Sequence, residues 1–151
     1  MLIEEKLKEL SIELPNPPDP VGNYLAINKS GNLLFISGQL PIDTNGKMIC
    51  GKIGDDLSDT EAERATKIAS INILGQLNKY LGNLNKVKKC VKIIGYYNCI
   101  DKYSNHPKLL NTASDLMVSV FGDKGKHARA VIGTNSLPLN AAVELDSIFE
   151  V

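Results

Sequence analysis

The chain has 151 residues, 43% hydrophobic and 23% charged, with 17 basic residues balanced by 17 acidic ones. That length and composition fit one folded domain with a sizeable core and exclude a disordered chain. The cancelled charge leaves no overall field to draw the protein to nucleic acid or membrane, and no apolar run reaches the length of a membrane span. Cys50, Cys90 and Cys99 are odd in number and lack a CxxC spacing, which reads as reduced thiols in a cytoplasmic protein. His106 and His127 have no ligand spacing to cysteine or carboxylate partners, so neither a metal nor a cofactor is expected.

Residues 2 to about 12 place Ile3, Leu7, Leu10 and Leu14 at helical spacing among Glu4, Glu5, Lys6 and Lys8. This predicts a short surface helix and does not match a signal peptide. Pro15-Asn16-Pro17-Pro18-Asp19-Pro20 forbids helix and predicts a rigid extended connector. The expected organisation is one domain over residues 1–151, with the helix and proline-rich linker of residues 1–20 as additions to it.

Tyr24 to Asn28 and Leu33 to Ser37 read as strands joined by a turn at Lys29-Ser30-Gly31-Asn32. The second is apolar on both faces, with Leu33 and Phe35 on one side and Leu34 and Ile36 on the other, so it asks for cover from both sides. Asn45-Gly46 marks another turn, and Gly51 to Asp56 a loop. Ser58-Asp59-Thr60-Glu61 is a capping box that starts a long helix. Ala62, Ala65, Ala69, Ile73, Leu77 and Tyr80 share one face of it, and Gly82-Asn83 stops it.

Val87 to Ile100 reads as a long strand whose lysines at 86, 88, 89 and 92 fit a solvated strand end better than a nucleic-acid stripe. A second helix follows Asn105, with Leu109, Leu110, Ala113, Leu116, Met117, Val120 and Phe121 as its apolar stripe. Gly122 ends it. The glycines and lysine of 122–126 follow a helix and precede a strand, the reverse of a phosphate loop, and read as a turn.

The last two strands each carry one charge in apolar surroundings. Arg129 shares a face with Val131 and Gly133, while Glu144 is flanked by Val143 and Leu145. Charges in buried strands are costly unless paired or used. Two readings stand: a structural Arg–Glu pair, or a working site.

The Ala-Arg step at 128–129, the apolar run to Gly133, Leu137-Pro138 and Val143-Glu144 resemble the C-terminal signature of the Rid/YjgF family. Gly22-Asn23-Tyr24, the strand Leu34 to Gln39, and Pro41 extend the resemblance to roughly residue 20 onward. Its members are reactive-intermediate deaminases, also called L-PSP endoribonucleases or translation inhibitors. The resemblance implies an α+β, chorismate-mutase-like fold, a mixed sheet covered by two helices, assembled as a homotrimer with a barrel-like core. That assembly agrees with the chain's own pattern. Two helices cover one sheet face, and a second copy of the chain is the economical cover for the other.

The resemblance further implies ligand clefts between subunits, in which Arg129 grips the carboxylate of a small 2-imino acid on its way to a 2-keto acid and ammonia. A planar guanidinium suits that bidentate grip. Imine hydrolysis needs a protonated nitrogen and a positioned water, and Glu144 is the residue to orient the water or move the proton. Tyr24 would cover the cleft from a neighbouring subunit, or simply pack in its strand. Asn111 and Ser114 are both candidates for the polar residue of the second helix. Several departures mark this chain: His127 stands where the family usually has proline or a small residue, and Val131 where active deaminases often have cysteine. Extra residues surround Asn105-His106-Pro107, and the N-terminal helix and proline linker are additions. Three functions follow: an imine deaminase, a trimeric binding or regulatory protein for carboxylate metabolites, and an endoribonuclease. The neutral charge and the lack of a histidine-rich centre give the last least support.

Overall fold

In the computed structural model, which describes residues 1–151, the chain runs α1 (Ile3–Glu9), β1 (Ile27–Ser30), β2 (Leu33–Gln39), α2 (Asp59–Leu81), β3 (Lys89–Asn98), α3 (His106–Phe121), β4 (Ala128–Thr134) and β5 (Val143–Glu150). The strands form one mixed sheet in the order β1-β2-β5-β3-β4. Neighbours are antiparallel except β3 and β4, which run parallel because α3 carries the chain back over the sheet between them. This is the mixed α+β architecture expected from the pattern.

Strand alternation decides the layers. Along β5, Val143, Leu145, Ser147 and Phe149 are buried, while Glu144, Asp146, Ile148 and Glu150 are only half-buried. The buried set faces α2 and α3. The predicted capping box is formed: the Ser58 side chain accepts from Glu61 N, and Ser58 N donates to the Glu61 carboxylate at 2.8 Å. Gly82 closes α2 with a left-handed φ of 74°, the conformation glycine adopts most easily. Ala62, Ala65 and Ala69 are fully buried, and their small side chains let the helix approach the strands closely. Tyr97 on β3 meets Thr66 on α2 at 2.8 Å between hydroxyls, which satisfies two polar groups in the core. The α3 stripe from Leu109 to Phe121 is buried as its spacing predicts.

Several boundaries differ. α1 ends at Glu9, and Ser11 turns the chain with φ of 54°. β1 begins at Ile27 and not at Tyr24, and β3 spans 89–98 with a register shift between Cys90 and Lys92. Tyr80 is 49% exposed because it sits in a groove with Pro18 and Tyr24 rather than over the sheet. The proline segment is docked along α2: Pro15 lies so close to Gly75 that a Cβ there would meet its ring. Lys79 Nζ donates to Pro17 O at 2.8 Å and pairs with Asp19 at 2.9 Å.

The sheet face away from the helices carries Ile94, Tyr96, Ile148, Phe35 and Ile132 together with Glu144 and Asp146. Phe35 is 43% and Ile132 48% exposed. No helix of the chain covers this face. Among the helices, none is long and apolar enough to cross a membrane.

Candidate functional site

Arg129 stands near the start of β4, the edge strand, level with Ile93 of β3. Ile93 faces the helices, so the guanidinium does too, and it reaches over the first turns of α3. There Nη1 donates to Asn111 Oδ1 at 2.9 Å and to Ser114 Oγ at 3.2 Å, while Nη2 donates to the Pro107 carbonyl at 3.4 Å. Asn111 and Ser114 are three residues apart and share one face of the helix, so the two candidates are both partners of Arg129. The guanidinium has five N–H donors. Three are used, which leaves Nε–H and one Nη2–H without an acceptor in the chain. Arg129 is an exposed residue, held in place by α3 yet open to solvent.

His127 extends this cluster. Its Nδ1 lies 2.7 Å from Gly125 O and its Nε2 lies 3.0 Å from Ser114 Oγ. A carbonyl can only accept, so Nδ1 carries the hydrogen, and in the neutral ring Nε2 accepts from the Ser114 hydroxyl. The sequence marks His127 as an unusual residue before Ala-Arg but does not disclose this partnership. The Pro107 carbonyl is likewise invisible in a side-chain reading.

Glu144 lies elsewhere. On β5 it is level with Tyr96, on the sheet face away from the helices. The expected Arg129–Glu144 pair, one of the two readings of these strands, is therefore not formed within the chain. The Glu144 carboxylate lies over Gly38, where any Cβ would collide with it. Burial pushes its pKa above the usual carboxylate value, and Asp146 adds to the shift. Asp146 accepts from the Tyr96 hydroxyl at 3.1 Å. A depression of about 400 Å³ beside these groups is lined by Phe35, Ser37, Gly38, Asp146 and Ile148, among others. Asp146 is the residue a sequence reading misses here, although the alternation Glu144-Leu145-Asp146 puts both carboxylates on one face.

Tyr24 is 59% exposed. It precedes β1 and lines the groove between the proline segment and α2, a groove whose lining includes neither Arg129 nor Glu144. Val131 follows Arg129 on the same face and packs against the core, so no thiol accompanies the guanidinium on its strand. Cys99 and His106 meet at 3.5 Å farther along the sheet, where burial raises the thiol pKa. That shift favours the protonated, weakly nucleophilic form.

Comparison with known proteins agrees with this architecture. The model of the family described as "YjgF/chorismate_mutase-like, putative endoribonuclease" matches residues 4–150. Protein TCP17 of Trypanosoma cruzi is 36% identical over 150 residues, 99% of this chain and 94% of that protein. The crystal structure of Atu1372 from Agrobacterium tumefaciens is 39% identical with a TM-score of 0.91, covering 99% of this chain and 94% of that one. A protein of Dermatophagoides farinae named 2-iminobutanoate/2-iminopropanoate deaminase is 24% identical over 138 residues, 91% of this chain and 92% of its own.

Proposed function

Because the chain belongs to the YjgF/chorismate-mutase-like family, also known as Rid, we propose that it hydrolyses small 2-imino acids to 2-keto acids and ammonia. The observation that carries this reading is the Arg129 guanidinium. It is fixed by Asn111, Ser114 and Pro107 and keeps two donors for a ligand. Two parallel donors on a planar group match a carboxylate. The relative named as an imine deaminase supplies the class of carboxylate.

The reaction sets a second requirement. Water adds to the protonated C=N carbon, and the carbinolamine then expels ammonia as the carbonyl forms. A carboxylate that takes the water's proton and returns it to the departing nitrogen serves both steps. Glu144 suits that role, since burial and Asp146 raise its pKa toward the working range. It faces away from Arg129 within one chain, so the complete site joins Arg129 of one copy to Glu144 of the next. The half-apolar sheet face with Phe35 and Ile132 is the surface on which copies would meet, as a homotrimer. Tyr24, exposed ahead of β1, would cover the cleft from an adjacent copy. A cytoplasmic location belongs to the same proposal and rests on three free cysteines.

One observation favours a second reading. Without a thiol beside Arg129, the site resembles a receptor as much as a catalyst, and a trimeric protein binding small carboxylate metabolites would use the same anchor. A coupled assay separates the two. A threonine dehydratase supplies the short-lived imine, and keto-acid appearance is followed with and without this protein. The deaminase reading expects faster appearance, lost in Glu144→Gln. No acceleration, with 2-oxobutyrate still bound, selects the binding protein.

A further inference from the structure

Resting on the reading that Arg129 anchors the ligand, we propose that His127 is a positioning residue of that site. It acts through Ser114, whose hydroxyl it turns toward the guanidinium.

The argument begins with what a helical hydroxyl does when left alone. Serine and threonine inside helices tend to donate to the carbonyl four residues back. Both buried examples in α2 do so: Thr66 Oγ1 donates to Ala62 O at 2.8 Å, and Ser70 Oγ to Thr66 O at 2.7 Å. Ser114 differs. It makes no bond to Leu110 O and instead spans His127 Nε2 at 3.0 Å and Arg129 Nη1 at 3.2 Å.

A hydroxyl has one hydrogen and two lone pairs. With Nδ1–H of His127 committed to Gly125 O at 2.7 Å, the ring offers Nε2 as an acceptor and claims the Ser114 hydrogen. The hydroxyl oxygen is then drawn off its own helix, with a lone pair toward Nη1. Gly125 belongs to the tight turn Gly122–Gly125 after α3 and is itself buried, so the relay starts from a fixed point. The run Gly125 O, His127, Ser114, Arg129 thus ties the anchor's orientation to the backbone. Asn111 alone would leave Nη1 with one side-chain acceptor.

The test uses five versions of the full chain: wild type, His127→Ala, His127→Gln, Ser114→Ala and the double variant His127→Ala/Ser114→Ala. Glutamine keeps an acceptor at about the reach of Nε2. Pyruvate and 2-oxobutyrate affinity is measured by calorimetry, and Arg129 Nε–H order by ¹⁵N relaxation in ligand-free protein. Expected is a weakening of about threefold to tenfold in His127→Ala, the range for one hydrogen bond. His127→Gln should stay within about twofold of wild type. The histidine change should have no further effect once Ser114 is alanine. The Nε–H signal should become mobile in His127→Ala and Ser114→Ala and stay ordered in His127→Gln.

An equal loss from His127→Ala in both backgrounds, or a glutamine variant as weak as the alanine one, would overturn the proposal. If His127→Ala does not fold, a glutamine variant with wild-type order beside a disordered Ser114→Ala still supports it, and any other pattern overturns it. If the wild type binds neither keto acid, the carboxylate reading fails. The relaxation data then decide the positioning role by themselves: an Arg129 Nε–H unmoved by His127→Ala sinks it.

Discussion

Arg129 and Glu144 lie on opposite faces of one sheet, level with Ile93 and Tyr96 of the strand between them. Register alone fixes this, since successive residues of a strand point to opposite sides. The two charges therefore neither neutralise each other nor share a cavity within one chain. Each has its own support: Asn111 and Ser114 for the arginine, Gly38 and burial for the glutamate.

Complementation between inactive variants tests how the site is divided. Arg129→Ala and Glu144→Gln are each expected to lack activity. Mixed, unfolded together and refolded, they should regain activity at about a quarter of the sites if assembly is random, because those sites draw both wild-type residues from different copies. A mixture as inactive as its components would place both residues in one copy's site and contradict the division.

The uncovered sheet face predicts self-association. Light scattering at micromolar concentration should give about three times the 16.4 kDa of one chain. Ile132→Lys, which puts a charge on the face at a residue already 48% exposed, should leave the fold intact and shift the mass toward that of one chain. A wild type with the mass of one chain would remove the intersubunit site.

Much of this was legible in sequence. Capping box, helix stripes and strand alternation located every core element, because each is a local pattern with a period. Arg129, Asn111 and Ser114 came from spacing and resemblance, and they meet. What the pattern could not yield was direction across the sheet. Arg129 and Glu144 read as a possible pair because both interrupt apolar strands, and only the register of β4 on β3 and of β5 on β3 separates them. The role of His127 stayed hidden for a related reason, since its partners lie on the preceding turn and on α3. The apolar pattern makes Tyr24 a strand residue, but pairing begins at Ile27, beyond the Pro20-Val21-Gly22 stretch that the sheet does not include.

Acidity offers a stability test at Glu144. Burial raises its folded-state pKa above the ordinary 4.5, so the folded protein keeps a proton that the unfolded chain has released. Stability then falls as pH rises from that ordinary value through the raised one, and the cost is fully present above it. Glutamine carries no such cost. Thermal unfolding should show Glu144→Gln melting higher than wild type at pH 7, with the gap closing toward pH 4. Equal melting temperatures at both pH values would contradict a carboxylate whose pKa burial raises.

The most direct test of the anchor is calorimetric titration of wild type and Arg129→Lys with pyruvate and 2-oxobutyrate. Lysine keeps the charge but loses the planar fork and the paired bonds to Asn111 and Ser114. The expected result is a folded variant of unchanged mass whose affinity falls by about tenfold or more, roughly 1.4 kcal/mol. Wild-type affinity in a properly folded lysine variant would contradict the carboxylate anchor, and with it both the deaminase and the binding-protein readings.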